Sequence, residues 1–189
     1  MKLLLASQSP RRKQLLEEME IPFQTVKLDC EEIIPSTIAP ENAAEYLSQL
    51  KANAYQNLAE NEILLTADTV VVCNNEILGK PKNKEEATEM LKKMSNNFHF
   101  VYTAFTLKTS NSIFSKTDFA KVFFKEINDA EIAKYVEKCQ PFDKAGAYGI
   151  QEWIGMTKIE KIEGSFYTIM GLPTHLVYDA LQEFSLNLE

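Results

Sequence analysis

The apolar residues of this chain follow two periods, one typical of strands and one typical of helices. Short apolar runs bounded by polar residues indicate buried strands, and two longer runs rich in aromatic and β-branched residues favour strands as well. The two long runs are separated only by Thr109-Ser110-Asn111 and its flanking residues, so we expect them to form an antiparallel pair. The predicted strands cover residues 3–6, 21–28, 63–67 continuing through 70–73, 76–78, 98–107, 112–124 and 157–162.

Between these strands, apolar residues recur every three or four positions and predict helices. Ser9 and Pro10 supply a capping residue and a first helical position. Asn83 and Asn128 are each followed three residues later by a glutamate, which is the pattern of a capping box. The second helix is predicted over residues 40–58, and the last helix follows residue 173.

The order of these elements indicates the fold class. Parallel-type and hairpin-type connections occur in one chain, which predicts an α/β fold with a mixed sheet and flanking helices. A chain of 189 residues can bury a large core as one domain or two small lobes. Because no glycine- or proline-rich linker interrupts it, we expect a single domain over residues 1–189, with two lobes flanking a cleft as a compatible arrangement.

Composition and charge argue against several classes of protein. The chain is 45% hydrophobic and 25% charged, as in ordinary globular proteins, and its net charge of -7 argues against general binding to nucleic acid. The cysteines, Cys30, Cys73 and Cys139, are widely spaced without a CxxC pair, which favours reduced thiols over a disulfide framework or a zinc site. No run approaches 18 apolar residues. We therefore expect a cytoplasmic protein that binds neither nucleic acid nor a membrane.

Positive charge is concentrated where a helix already attracts anions. Arg11, Arg12 and Lys13 occupy the first turn of the helix that follows the strand and Ser7, although the helix dipole disfavours cations there. A ligand that carries phosphate would explain this arrangement. A solvated run of surface charges is the alternative.

Acidic residues stand at the ends of two predicted strands. Asp68 follows the buried-type strand 63–67, and Glu31 with Glu32 follows the strand 21–28. Carboxylates at strand ends commonly build catalytic and metal sites in α/β folds, and Mg²⁺ is usually held by one or two of them together with substrate phosphates. The alternatives are a turn or cap role for Asp68 and a solvated role for Glu32.

Further candidates are two lysines and one loop. Lys51 lies near the edge of the second helix, and Lys80 is presented by a stiff loop between Gly79 and Pro81. In the loop 143–151, glycines allow close backbone approach, and Gln151 carries a donor and an acceptor suited to the edge of a base. A tight loop with a solvated glutamine and ordinary surface lysines are the alternatives.

Several familiar motifs are absent. The sequence contains no GxSxG, P-loop or GxGxxG pattern and no Cys-His pair, which counts against covalent catalysis and dinucleotide binding. His99 and His175 have no neighbours at metal-ligand spacing, so we expect both to be structural.

Taken together and in order, five blocks resemble the Maf family of nucleoside triphosphate pyrophosphatases, and they span nearly the whole chain. They are Leu-Ala-Ser7-Gln-Ser-Pro-Arg11-Arg12, Ala67-Asp68-Thr69-Val70-Val71, Gly79-Lys80-Pro81, the loop from Asp143 to Gln151, and Ile162-Glu-Gly-Ser165 with Gly171-Leu-Pro173.

This resemblance implies a fold and a reaction. The family's fold is α/β, with a mixed, elongated sheet and a deep cleft between two lobes, similar to that of inosine triphosphate pyrophosphatases. Its members hydrolyse nucleoside triphosphates to the monophosphate and pyrophosphate with a divalent metal, which we expect to be Mg²⁺ here, with Mn²⁺ or Co²⁺ as alternatives. A homodimer is compatible with the resemblance.

The resemblance also assigns residues. It implies that Asp68 is catalytic and that Glu32 and Asp68 hold the metal. The phosphate-binding positions that it implies are Ser7, Arg12, Lys51 and Lys80. Arg11, Thr69 and Gln151 match the subgroup that acts on dTTP and UTP, and not the one that acts on 7-methyl-GTP. The chain departs from the family's usual pattern directly after Gln151, where Glu152-Trp153 replaces a glycine-containing continuation.

Two other functions fit parts of this pattern. A nucleotide-sensing regulator of cell division would bind nucleotide without needing turnover, since the family has long been linked with septum formation. A purine-directed pyrophosphatase of the inosine triphosphate type would share the reaction without sharing these motifs. Release of pyrophosphate in the presence of Mg²⁺ distinguishes an enzyme from a regulator.

Overall fold

The structure, a computed structural model, describes residues 1–184. Its strands are β1 (Lys2–Leu5), β2 (Phe23–Thr25), β3 (Glu62–Cys73), β4 (Glu76–Leu78), β5 (Phe98–Lys108), β6 (Ile113–Phe124) and β7 (Ile159–Glu163). Its helices are α1 (Pro10–Glu18), α2 (Ala43–Ala54), α3 (Lys84–Met94), α4 (Asp129–Cys139), α5 (Trp153–Lys158), α6 (Phe166–Met170) and α7 (Thr174–Glu183). Short 3₁₀ turns lie at Pro40–Asn42 and Ala145–Ala147.

Over residues 1–184, the strands form a seven-stranded mixed sheet. Their order is β2-β1-β3-β5-β6-β7, and β4 pairs with β3 off this path. β1 runs parallel to both β2 and β3, whereas the β3–β4 and β6–β7 pairs are antiparallel. The predicted α/β class with a mixed sheet and flanking helices is therefore confirmed. The likeness to inosine triphosphate pyrophosphatases stays a prediction.

The described chain divides into two compact units. The first contains Met1–Asp68, Thr103–Asp118 and residues 171–184, and the second contains Thr69–Tyr102 and Phe119–Met170. Three of the four boundaries fall inside β3, β5 and β6, and the fourth lies directly after α6.

In the first unit, β1 explains why its sequence is a continuous apolar run. Leu3, Leu4 and Leu5 are all buried, because β1 is paired on both edges and covered on both faces. Ser9 then caps α1 by accepting a hydrogen bond from the backbone N–H of Arg12, with Pro10 as the first helical residue, as predicted.

In the second unit, local signals define the elements equally well. Asn74 and Asn75 have φ values of 51° and 63°, which suits the tight turn between β3 and β4. Asn83 caps α3 through the backbone N–H of Glu86, and α4 begins with a complete capping box at Asn128. The predicted hairpin and both predicted helix starts are confirmed.

Three boundary predictions were wrong. The second helix, predicted over residues 40–58, begins after a 3₁₀ turn and ends at Ala54. Leu58 lies outside the helix and packs against the cluster around Leu4 and Leu64. The strand predicted over 21–28 is limited to β2, since Val26 and Leu28 join that same cluster. The stretch before β7, part of which was predicted as strand, forms helix α5 instead.

Two further expectations concern membranes and thiols. Within the described residues, no helix is long and apolar enough to span a membrane. Cys30, Cys73 and Cys139 are free thiols, as their spacing predicted.

Candidate functional site

Arg12 is fixed at both ends of its guanidinium group. Its Nη1 donates a hydrogen bond to Ser7 Oγ over 3.4 Å, and its Nε donates to the backbone carbonyl of Gly171 over 2.8 Å. Ser7 Oγ also accepts from the backbone N–H of Ser9 over 3.2 Å. The turn from β1 into α1 therefore holds a serine hydroxyl and an oriented arginine at the start of a helix.

Arg12 lies in an environment of mixed charge. Burial is the main effect on its pKa and lowers it, and the neighbouring Arg11 lowers it further, while Asp68 and Glu32 raise it. A guanidinium stays protonated in proteins despite such a shift. Arg12 is thus a half-buried cation within electrostatic reach of two carboxylates, and the binding of an anion would stabilise it.

Lys51 joins the two predicted metal ligands. Its ammonium forms an ion pair with Asp68 Oδ2 and another with Glu32 Oε1 over 3.0 Å. The side chains of Lys51 and Asp68 are only 13% and 11% exposed, while that of Glu32 is 42% exposed. A carboxylate buried to that degree requires a partner, and Lys51 supplies it.

One contact between a helix and a strand explains why these residues meet. Thr66 and Asp68 are two apart on β3 and so share a face, while Ser48 and Lys51 are three apart on α2 and share a side of the helix. Thr66 Oγ1 donates to the backbone carbonyl of Ser48 over 2.7 Å. This hydrogen bond sets the register that brings Lys51 to Asp68.

The donor set fits a hard divalent cation completed by substrate. Asp68 and Glu32 both contact the Lys51 ammonium, so their oxygens converge on one position that already carries positive charge. Among the described residues, no group of three or more His, Cys, Asp or Glu side chains could hold a metal alone. Mg²⁺ commonly takes one or two carboxylates together with phosphate oxygens and water, and this pair provides that number.

The sequence predicted that Asp68 stands at the end of a strand, and this prediction was wrong. β3 continues through Asp68 and Thr69 to Cys73, because its later residues pair with β4. The carboxylate is therefore held by a continuous strand, which positions it more firmly than a loop would.

Of the remaining predicted residues, Arg11 is half-buried on α1 in the first unit, and the other three belong to the second unit. Thr69 is half-buried in β3, and Lys80 and Gln151 are exposed. The backbone N–H of Gly146 donates to the carbonyl of Gly79 over 3.1 Å, which ties the loop that carries Gln151 to the segment that carries Lys80. At Gly146, with φ of 68°, an added Cβ would lie 3.0 Å from Val71 Cγ1, so this close approach requires glycine.

The structure thus joins Ser7 with Arg12, and Glu32 with Lys51 and Asp68, inside the first unit. Sequence reasoning missed the Gly171 carbonyl as a partner of Arg12, because 159 residues separate them. His99 is buried and hydrogen-bonded through Nε2 to the Tyr148 hydroxyl over 2.8 Å, which agrees with the predicted structural role.

This chain is similar to a known protein family and to several named relatives. Residues 2–184 match the family model described as Maf-like protein. A protein of Flavobacterium johnsoniae named dTTP/UTP pyrophosphatase is 46% identical over 181 residues, covering 95% of this chain and 93% of that relative. Proteins of the same name from Porphyromonas gingivalis (strain ATCC 33277) and Bacteroides thetaiotaomicron are each 43% identical, covering 97% and 96% of this chain and 94% and 95% of those relatives.

Proposed function

The chain belongs to the Maf family, and on that premise we propose that it is a nucleoside triphosphate pyrophosphatase that hydrolyses dTTP and UTP to the monophosphate and pyrophosphate. The observation that supports this proposal most strongly is the Lys51 ammonium held between Asp68 and Glu32. That grouping combines a cation for phosphate with two carboxylates for a metal ion and a base.

The phosphate chain is bound by cations and one hydroxyl. We assign this role to Ser7, Arg12, Lys51 and Lys80. Arg12 suits it because Ser7 and Gly171 orient its guanidinium before substrate arrives. Preorganised donors of this kind are most effective where charge develops in the transition state, here on the departing pyrophosphate.

Glu32 and Asp68 would hold a divalent ion, for which we propose Mg²⁺, with Mn²⁺ or Co²⁺ as alternatives. When bound, such an ion neutralises part of the triphosphate charge and orients the phosphate oxygens. Lys51 would then turn from the two carboxylates toward the phosphates, because its flexible stem allows a short displacement of the ammonium.

Asp68 would serve as the general base. It accepts a proton from a water molecule whose oxygen forms a bond to the α-phosphorus, while the bond from that phosphorus to the bridging oxygen breaks and pyrophosphate leaves. Base catalysis of this kind contributes about 10²–10⁴-fold. A single carboxylate cannot fully serve as both base and direct metal ligand, so Glu32 would carry more of the metal binding.

The base of the nucleotide would be selected by Arg11, Thr69 and Gln151. The side-chain amide of Gln151 offers a donor and an acceptor, which can match the oxygen and the N–H on the edge of uracil or thymine. Its exposure on the surface of the second unit leaves this amide accessible to a ligand.

We place this activity in the cytoplasm, because the three free cysteines suit a reducing compartment. Its role there would be to remove unwanted pyrimidine nucleotides, including modified ones, from the nucleotide pool. Assembly into a homodimer and a link to septum formation stay predictions.

The experiment that tests this function is a substrate screen. Purified protein at low concentration with Mg²⁺ is assayed for pyrophosphate release from dTTP, UTP, CTP, ATP and GTP. We expect dTTP and UTP to give the highest kcat/KM. Preference for a purine would overturn the assignment of Arg11, Thr69 and Gln151, and nucleotide binding without turnover would instead support a nucleotide-sensing regulator.

A further inference from the structure

Glu152, directly after Gln151, is held by two residues from separate parts of the second unit. Its Oε2 accepts a short hydrogen bond from the hydroxyl of Tyr135 on α4, and its Oε1 lies 3.2 Å from Lys144 Nζ. Tyr135 is 2% exposed and Lys144 is 8% exposed, so these partners are part of the interior. We call Tyr135, Lys144 and Glu152 the Glu152 clamp.

The Tyr135 hydroxyl fixes the loop on both sides of Gln151. While its hydrogen is donated to Glu152, its oxygen accepts a hydrogen bond from the backbone N–H of Gly149 over 3.1 Å. The backbone N–H of Glu152 in turn donates to the carbonyl of Gly149 over 3.0 Å. Burial, followed by the hydrogen bond to Glu152, raises the pKa of Tyr135, so its hydroxyl keeps its proton and remains a donor.

Close packing leaves this segment almost no freedom. A Cβ on Gly149 would lie 2.8 Å from Glu152 Cδ, and a Cβ on Gly155 would lie 1.8 Å from the carbonyl oxygen of Ile150. Ile150 is buried, whereas Gln151 is exposed. The segment thus presents Gln151 outward from a backbone that is held immediately before and after it.

The orientation of Gln151 matters because of the chemistry of its amide. Uracil and thymine present an oxygen acceptor and an N–H donor on the edge where cytosine presents an amino donor and a nitrogen acceptor. A glutamine amide held in one orientation matches only the first pattern, whereas one that can turn over matches either. Discrimination therefore depends on how firmly the backbone and its surroundings hold this side chain.

We propose that the Glu152 clamp is a positioning device that sets Gln151 for uracil and thymine and so determines discrimination against cytosine. This inference rests on the proposed function, in which Gln151 contacts the base. Tyr135, Lys144 and Glu152 act through Gln151 and need not touch the nucleotide. The departure from the family's usual pattern at Glu152 thereby acquires a role.

Tyr135→Phe tests the proposal with the least change to packing, because it removes one hydroxyl and keeps the ring. Glu152→Gln is a second variant of almost unchanged volume, and it weakens both contacts of the carboxylate. Tyr148→Phe is the matched control, since Tyr148 is also a buried tyrosine and lies within the loop, but its hydroxyl bonds to His99 instead of Glu152. Thermal unfolding and circular dichroism confirm that each variant is folded before kinetics are compared.

The quantity measured is the ratio of kcat/KM for UTP to that for CTP, with kcat and KM determined separately. In Tyr135→Phe and Glu152→Gln, we expect this ratio to fall on the order of tenfold, through a higher KM for UTP and with kcat little changed. In Tyr148→Phe, we expect the ratio to stay at the wild-type value.

Gln151→Ala distinguishes a failure of the clamp proposal from a failure of the proposed role of Gln151. If it lowers the ratio while both clamp variants keep the wild-type value, the clamp is only structural and the proposal is overturned. If it leaves the ratio unchanged, the proposed role of Gln151 fails, and the clamp proposal fails with it. An equal fall in Tyr148→Phe would also overturn the proposal, because a general loosening of the loop would then explain the effect.

Discussion

Lys51 and Asp68 form an ion pair in which both side chains are almost removed from water. Their side chains are 13% and 11% exposed, and the same ammonium also contacts Glu32. Two carboxylates and one cation give this cluster a formal charge of -1 before Arg12, which adds a positive charge within electrostatic reach. Each member of the cluster has a partner of opposite charge, and in the proposed function each would exchange that partner for a phosphate or a metal ion.

The pairing predicts a measurable coupling between Lys51 and Asp68. Lys51→Met should destabilise the fold by roughly 3 kcal/mol, because it removes the ammonium that contacts the buried Asp68 carboxylate. Adding Asp68→Asn to that variant should recover part of the loss, since the buried negative charge is then removed. Urea unfolding of the wild type, both single variants and the double variant gives the coupling free energy. Simple additivity of the two losses would contradict this account of the pair.

The exposed carboxylate of Glu32 should affect metal dependence more than folding. Glu32→Gln should raise the Mg²⁺ concentration needed for half-maximal rate by about 10- to 100-fold, because one anionic oxygen ligand is lost. The measurement is the initial rate at saturating dTTP as Mg²⁺ is varied. Glu31→Gln is the matched control, since Glu31 is the adjacent exposed glutamate. An equal shift in both variants would remove the specific role of Glu32.

Local signals made part of this site predictable from the sequence. The capping of α1 by Ser9 involves residues within three positions of each other, so a short window contains the information. The pairing of Lys51 with Asp68 was not predictable, because it depends on a contact of α2 with β3 through Ser48 and Thr66.

Other differences between the predicted and the observed structure also arise from contacts between residues that are far apart in the chain. The apolar character of Leu58 extended the predicted second helix, although the residue serves a cluster with Leu4 and Leu64 outside that helix. The Gly171 carbonyl reaches Arg12 from the far end of the chain, and no local pattern indicates such a partner. The Glu152 clamp likewise depends on the placement of α4 against the loop, although a departure from the family's pattern pointed to Glu152.

Buried His99 should make stability depend on pH. Burial lowers its pKa from 6.5 to about 3. Between these pH values the histidine is therefore mostly neutral in the folded chain and mostly protonated in the unfolded chain. The stabilisation is fully present above pH 6.5 and is lost as the pH falls toward 3. Each pH unit in that window should lower the free energy of unfolding by up to about 1.4 kcal/mol from this group.

Urea unfolding at pH 7 and pH 5 tests this, since both values lie above the ordinary pKa of the carboxylates. Replacing the histidine (His99→Gln) should reduce the difference between the two pH values by about 2 kcal/mol, even though the variant is less stable at both. An unchanged difference would show that other groups cause the pH dependence.

In the proposed mechanism, Asp68 activates the water that attacks the α-phosphorus. Asp68→Asn keeps the size of the side chain and removes its basicity, so the rate of pyrophosphate release from dTTP should fall by about 10²–10⁴-fold. Calorimetric titration of the same variant with dTTP in Ca²⁺ should still show binding, because Ser7, Arg12 and Lys51 remain. Near-normal pyrophosphate release by Asp68→Asn would contradict the assignment and require a different base.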